Sequence, residues 1–259
     1  MTKEELEALL GEIRKTFTPA QLAAKLGLDE LILQRSCMSD KAILRALSEE
    51  RIVIHPFVRD NLKTTSYDVT LGPNYYREKD SVGCSDLLNP YDEKSVRRIW
   101  QLYEADSVRH HESVEPGLKF ESGIRPEDRI IIVAPGETIL AHTMEFIGGR
   151  GSITTMMKAR SSLGRNFIEV CKCAGWGDVD YFNRWTMEIT NNSRYYKIPL
   201  VVGRRVAQII FFETEPIREK NYVQDGGKYQ SSLDVRELER TWSPDAMLPK
   251  LWKDREAVE

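Results

Sequence analysis

After Ile52 the chain becomes a succession of short segments rich in β-branched and aromatic residues: "SYDVTLG", "RIIIVAP", "ETILAHTMEFI", "WTMEITN", "KIPLVV" and "RVAQIIFF", each cut off by Gly, Pro or Asn. Short apolar segments bounded by turn-forming residues specify strands, and many of them in series specify an all-β sandwich or barrel. This pattern constrains the architecture more than any other feature of the sequence. It makes the fold mainly β.

The first residues read differently. Leu6, Leu9, Leu10, Ile13 and Phe17 recur at helical spacing. "TPAQLAAKLGL" then opens as a second helix, with Thr18 as cap, Pro19 at the first helical position and Gly27 at the end. A turn between two short helices also fits a helix-turn-helix, although docking or dimerisation suits it better. A third amphipathic piece, "SDKAILRALSEERI", runs from Ser39 with Ile43, Leu44 and Leu47 on one face. The expected organisation is a helical extension over 1–37, a β domain over 38–235 and a charged tail over 236–259. Within the β domain, Asp80 to Gly117 is a polar excursion, with a helix expected around "EKSVRRIWQLYEA". The tail is expected on the surface or against a neighbouring subunit.

A hydrophobic share of 41% and a charged share of 30% describe a soluble globular protein. Its longest apolar runs are far too short for a bilayer, and no basic, then apolar, leader opens the chain, so a cytoplasmic location and no membrane partner are expected. The net charge of −3 argues against a dedicated nucleic-acid binder, which needs a basic footprint. Positive charge is instead local. In "MKARSSLGR", Arg160, Ser161, Ser162 and Arg165 stand together, and guanidinium forks with hydroxyls suit phosphate oxygens. The same run also fits a solvated polar loop.

Downstream, "AGWGDVDYFN" places Asp178 and Asp180 in a glycine-punctuated turn, and Glu188 follows in "RWTMEITN". In an extended strand Glu188 shares a face with Thr186 and Thr190, opposite Met187 and Ile189. That face meets either solvent or a polar cavity, where a desolvated carboxylate can act as a general base. The four cysteines, Cys37, Cys84, Cys171 and Cys173, contain no CxxC pair and read as reduced thiols. Cys171 and Cys173 would share one side of a strand. His110 and His111 read as loop residues without ligand-like partners, His55 and His142 as structural, and no metal site is expected on the protein.

The run "RSSLGR", then "AGWGDVDYFNRWTMEITN", then "VVGRRVAQIIFF" resembles the dCTP deaminase family, relatives in fold of the trimeric dUTPases. "MSDKAILRALSEERIVIHPF", "TTSYDVTLG", "APGETILAHTMEFI" and "NYVQDGGKYQ" are similar to further family segments, in the family's order, over about Met38 to Ser232. The resemblance implies a distorted β-jelly-roll of the dUTPase-like β-clip type and a homotrimer with active sites between subunits. It implies that Arg160 and Ser162 hold the triphosphate of dCTP or dUTP together with Lys228, Tyr229 and Gln230. It also implies that Ser161 and the backbone at Ala174 place the attacking water beside Arg165, that Asp178 meets the 3′-hydroxyl, and that Glu188 shuttles protons. Mg²⁺ would arrive on the triphosphate.

The activity this implies is hydrolytic deamination of dCTP to dUTP and ammonia. A bifunctional enzyme giving dUMP, a plain dUTPase and a non-catalytic nucleotide sensor are the alternatives. A zinc-type deaminase is set aside, since neither H-x-E nor P-C-x-x-C is present. Two departures from the family pattern bear on the site. Gly177 replaces a branched residue, and Asn183 stands where glycine is usual, which could strain the turn.

Overall fold

The computed structural model describes residues 37–80, 86–120, 122–218, 220, 222–224, 226–254 and 256. The helices expected before Met38, and Cys84, lie outside them. The description below concerns the unit from Met38 onward.

That unit opens with helix α1 (Asp40–Ser48), capped by the Ser39 hydroxyl, which accepts the Ala42 N–H at 3.4 Å. Its apolar face buries Ile43 and Ala46, with Leu44 and Leu47 partly covered. Strands follow in three sheets. The largest has six strands: β1 (Ile52–His55), β3 (Asn74–Glu78), β4 (Trp100–Glu104), β7 (Thr138–Gly149), β9 (Ile168–Val170) and β11 (Phe182–Asn191). A four-stranded sheet joins β2 (Tyr67–Thr70), β8 (Ile153–Ala159), β10 (Trp176–Gly177) and β13 (Arg205–Glu213). A three-stranded one joins β5 (Asp106–Ser107), β6 (Arg129–Val133) and β12 (Ile198–Val201). The molecule is mainly β, as the sequence pattern requires.

β7 is the spine. It pairs antiparallel with β1, β3 and β11, and its register with β11 sets Glu188 opposite Leu140. The core beneath is built from fully buried side chains such as Tyr67, Ile139, Ile147, Met187 and Ile189. His142 is buried among them, its Nδ1 within 2.8 Å of the Thr143 carbonyl and its ring 4.6 Å from that of Trp242. Burial drives its pKa down to about 4, so it is neutral and structural. The unit's first residue and last strand also meet: the Met38 N–H donates to the Phe211 carbonyl at 3.0 Å.

Three regions differ from the sequence expectations. In the polar excursion, helix α2 (Glu93–Ile99) ends sooner than expected, because Trp100–Glu104 pairs with β3 as strand β4. The Tyr75 and Tyr103 rings stack there, centroids 5.7 Å apart. His110 and His111 lie in a second short helix, α3 (Val108–Val114), rather than a loop. Leu238, Trp242, Met247 and Leu248 of the expected tail pack on the chain's own sheet. Helix α5 (Val235–Thr241) seats Leu238 against Val53, Phe146 and Phe182, and Met247 and Leu248 pack on Tyr76 and Leu140. Among the described residues no helix is long and apolar enough to cross a membrane.

Candidate active site

β11 alternates as an extended strand must: Met187 and Ile189 point into the core, while Thr186 and Glu188 face a cavity of about 360 Å³. Its lining includes Ala174, Asp178, Tyr181, Lys228 and Tyr229. The volume lies within the range of small-ligand sites. Burial raises the Glu188 carboxyl above its ordinary value, opposed by a hydrogen bond from its own backbone and by the Lys172 cation. Of the two environments the sequence allowed for this face, the cavity is the one present.

The "CKCAGWGD" segment builds one wall. Cys171 and Lys172 adopt left-handed backbone conformations (φ 61° and 41°), closing a turn in which the Ala174 N–H donates to the Cys171 carbonyl at 2.7 Å. This turn, rather than a strand, separates the two thiols: Cys171 is buried and Cys173 exposed. With its N–H committed, Ala174 can hold a water only through its carbonyl. Gly175 must lack a side chain, since a Cβ would come within 2.4 Å of the Met157 carbonyl oxygen. The departure at Gly177 has the same kind of cause: a Cβ there would lie 2.4 Å from Thr155 Oγ1 and 2.5 Å from the Trp185 ring. The large indole beneath has taken the space of the branched residue. Its Nε1–H donates to the Ile147 carbonyl at 2.8 Å.

Asn183 does not strain the turn; the left-handed residue is Asp180, at φ 67°. Asn183 is buried and donates from Nδ2 to the Tyr229 carbonyl at 2.7 Å, tying the tail to the start of β11. Gln230 departs from its expected role. It is buried, accepts the Phe182 N–H at 2.7 Å and donates from Nε2 to the Asp180 carbonyl at 2.9 Å. Its amide is spent on the turn and does not face the cavity. Lys228 and Tyr229 do line it, Lys228 paired with Asp254 and the Tyr229 hydroxyl accepting the Lys250 N–H at 3.1 Å. Lys228, Asp178 and Trp176 also border a larger cleft of about 1280 Å³, whose rim carries Arg218, Lys220 and Lys253. Tyr222 stands between the two spaces, its hydroxyl pushed up to about 12 by burial.

Arg160, Ser161, Ser162 and Arg165 do not line the cavity with Glu188. They occupy the far end of β8 and the single turn α4 (Ser161–Gly164), where both serines and Arg165 lie toward the surface. Arg160 is held: its Nε lies 3.6 Å from Asp68 Oδ2, and it donates from Nη1 to the Arg205 carbonyl at 3.3 Å. Arg205 donates to the same Asp68 oxygen at 3.0 Å. A buried carboxylate thus orients two guanidiniums beside the serines. Sequence reasoning passed over Asp68 and Arg205, although Asp68 lies within a quoted family segment. It also passed over Trp185, Tyr222, Met247 and Pro249, all of which line the cavity. For the last two, two tryptophans in an otherwise charged tail were the available signal.

Residues 37–214 match the model of the dCTP deaminase-like family. The chain belongs to that family. A Hydrogenobaculum sp. (strain Y04AAS1) protein named "dCTP deaminase, dUMP-forming" is 32% identical over 184 residues, 70% of this chain and 84% of its own length. A Nanoarchaeum equitans protein of the same name is 27% identical over 220 residues, 84% of this chain and 98% of its own. Among solved structures, the 2′-deoxycytidine 5′-triphosphate deaminase of Agrobacterium tumefaciens is similar over 70% of this chain at 17% identity and TM-score 0.48. This chain spans about half of that protein, 49%.

Proposed function

We propose that the protein is a bifunctional dCTP deaminase that carries its substrate through to dUMP. The observation that carries this reading is the desolvated Glu188 in one cavity with Ala174, Asp178, Lys228 and Tyr229. Water held by the Ala174 carbonyl attacks C4 of the cytosine ring. Glu188 takes its proton, delivers it to N3, and then supports departure of the amino group as ammonia. A carboxylate with a raised pKa suits both halves of that exchange. A second water attacks the α-phosphorus, releasing pyrophosphate. Across both steps dCTP and two waters become dUMP, pyrophosphate and ammonia.

The sequence favours dUTP as the product, with the dUMP-forming enzyme as an alternative. The two-step product fits better, because the relatives named above are dUMP-forming and align over most of their own lengths. A non-catalytic sensor has no need of the half-buried Glu188, and a plain dUTPase has no amino group for it to displace.

In this reading Asp178 meets the 3′-hydroxyl and Lys228 the phosphates, both from the cavity lining. Mg²⁺ enters as part of the substrate, carried on the triphosphate. The remaining phosphate and water contacts fall to Arg160, Ser161, Ser162 and Arg165. Because that motif lies away from the cavity in the same chain, it completes the site of a second copy, in a homotrimer.

The test incubates the purified protein with Mg²⁺ and dCTP or dUTP and resolves dUTP, dUMP, pyrophosphate and ammonia. Dimer and trimer masses are read by light scattering in parallel. From dCTP, dUMP with equimolar pyrophosphate and ammonia is expected. Accumulating dUTP would restore the single-step reading, and cleavage of dUTP with dCTP untouched would make the protein a dUTPase.

A further inference from the structure

Two parts of the chain meet beside the cavity. One is the carboxy-terminal segment, which lies beyond the matched region 37–214. The other is helix α2 of the polar excursion. The turn Pro244–Met247 delivers Met247 and Pro249 into the lining of the Glu188 cavity. Met247 is buried against Leu140, the residue opposite Glu188 in the β7–β11 register. Directly opposed residues of an antiparallel pair present their side chains on one face, about 5 Å apart. The turn therefore sits one strand away from the carboxylate.

It is also fastened at both ends. Asp245 receives both terminal nitrogens of Arg97, a bidentate pair whose second contact is 2.9 Å. The Arg97 Nε–H in turn donates to Glu93 at 2.8 Å. Past the turn, Lys250 donates its N–H to the Tyr229 hydroxyl and its Nζ–H to the Lys228 carbonyl, both at 3.1 Å. Trp100, where the excursion helix ends, packs in the same apolar cluster as Met247 and Leu248. A loose tail would show neither a fork-on-fork ion pair across the chain nor two buried apolar anchors.

We propose that Ser243–Lys250 is a fixed wall of the deamination pocket, in which Met247 and Pro249 bound the pyrimidine nucleoside and Arg97 is the positioning residue that holds them. The proposal rests on the reading of Glu188 given above. A thioether and a pyrrolidine ring offer apolar, adaptable contact to a planar ring and no competing donor. The wall keeps bulk water from Glu188, and its removal lets the carboxylate titrate closer to an ordinary one. The excursion thereby buttresses a wall that the family region alone does not supply.

The test has one arm that needs no turnover. In the full-length Glu188→Cys protein, alkylation of residue 188 by iodoacetamide is followed by mass spectrometry, with and without Arg97→Ala. Release of the wall is expected to accelerate modification on the order of tenfold. The second arm measures dCTP kinetics. Met247→Ala and Arg97→Ala raise KM on the order of tenfold and move the acid limb of the pH–rate profile toward lower pH, while Met247→Leu and the exchanged pair Arg97→Asp with Asp245→Arg recover most of the loss. Equal alkylation rates with unchanged KM overturn the proposal. So does a higher kcat/KM on loosening, which would make the segment an obstruction. Faster alkylation in a protein inactive toward both nucleotides upholds the wall and removes the deaminase reading instead.

Discussion

Glu188 stands directly opposite Leu140 in the β7–β11 pair, so a carboxylate shares a sheet face with a leucine that is itself 4% exposed. An acid placed beside buried hydrocarbon resists ionisation.

Replacing it with glutamine separates chemistry from stability. Glu188→Gln should lower deamination by about 10²–10⁴-fold. Because the folded pKa lies above the unfolded one, folding favours the protonated form. Ionisation destabilises the native state as pH rises through the folded pKa. The variant should therefore melt higher than the parent at pH 7–8, with the gain vanishing below about pH 4. Thermal unfolding across that range checks the sign. A variant that melts lower at neutral pH would mean that the carboxylate is hydrated or paired.

Gly177 and Trp185 should behave as one unit. Gly177→Ala inserts a methyl into occupied space and should cost roughly 1–3 kcal/mol. In a Trp185→Phe background, where the outer ring atoms are gone, the same change should cost less. Denaturant midpoints of the four proteins give the coupling, expected at about 0.5–3 kcal/mol. Strict additivity would show that the two sites are independent.

Gln230→Ala should act on the fold. It leaves the Phe182 N–H and the Asp180 carbonyl without this partner, which costs roughly 1–3 kcal/mol. The melting temperature should drop by several degrees while KM for dCTP stays within about twofold. A large KM effect at constant melting temperature would return Gln230 to the triphosphate.

Asp68→Asn tests the far half of the site. The neutral amide no longer fixes Arg160 and Arg205, and KM for dCTP should rise on the order of tenfold with kcat less affected. Arg160→Lys should be equally damaging, because a point charge cannot reproduce the fork. If Asp68→Asn leaves KM alone, Arg160 is positioned by something else.

The parts of this molecule that could be read beforehand are those whose cause is local or periodic. Met187, Glu188 and Ile189 alternate because a strand alternates, and Ser39 caps because a hydroxyl precedes a helix. The parts that could not be read depend on distant partners. Nothing within "EKSVRRIWQLYEA" says that Trp100 leaves the helix; that follows from Tyr75 waiting to stack on Tyr103. Leu238 belongs to the fold only because Val53, Phe146 and Phe182 converge from three other segments. Gln230 sits in a family-like motif, yet its contacts with Asp180 and Phe182 span about fifty residues. The Gly177 departure became intelligible only once Trp185 was seen beneath it.

The bond between the Met38 N–H and the Phe211 carbonyl has a consequence for how such a fold travels between proteins. It brings the two limits of the matched region to neighbouring places, the arrangement that lets a domain be inserted into a host loop or re-cut at a new terminus. The strands between those limits therefore need no rethreading when the fold is joined to a new neighbour at one of them. The segment that follows residue 214 is no detachable addition, since Gln230 and Leu238 are built into the strands it crosses.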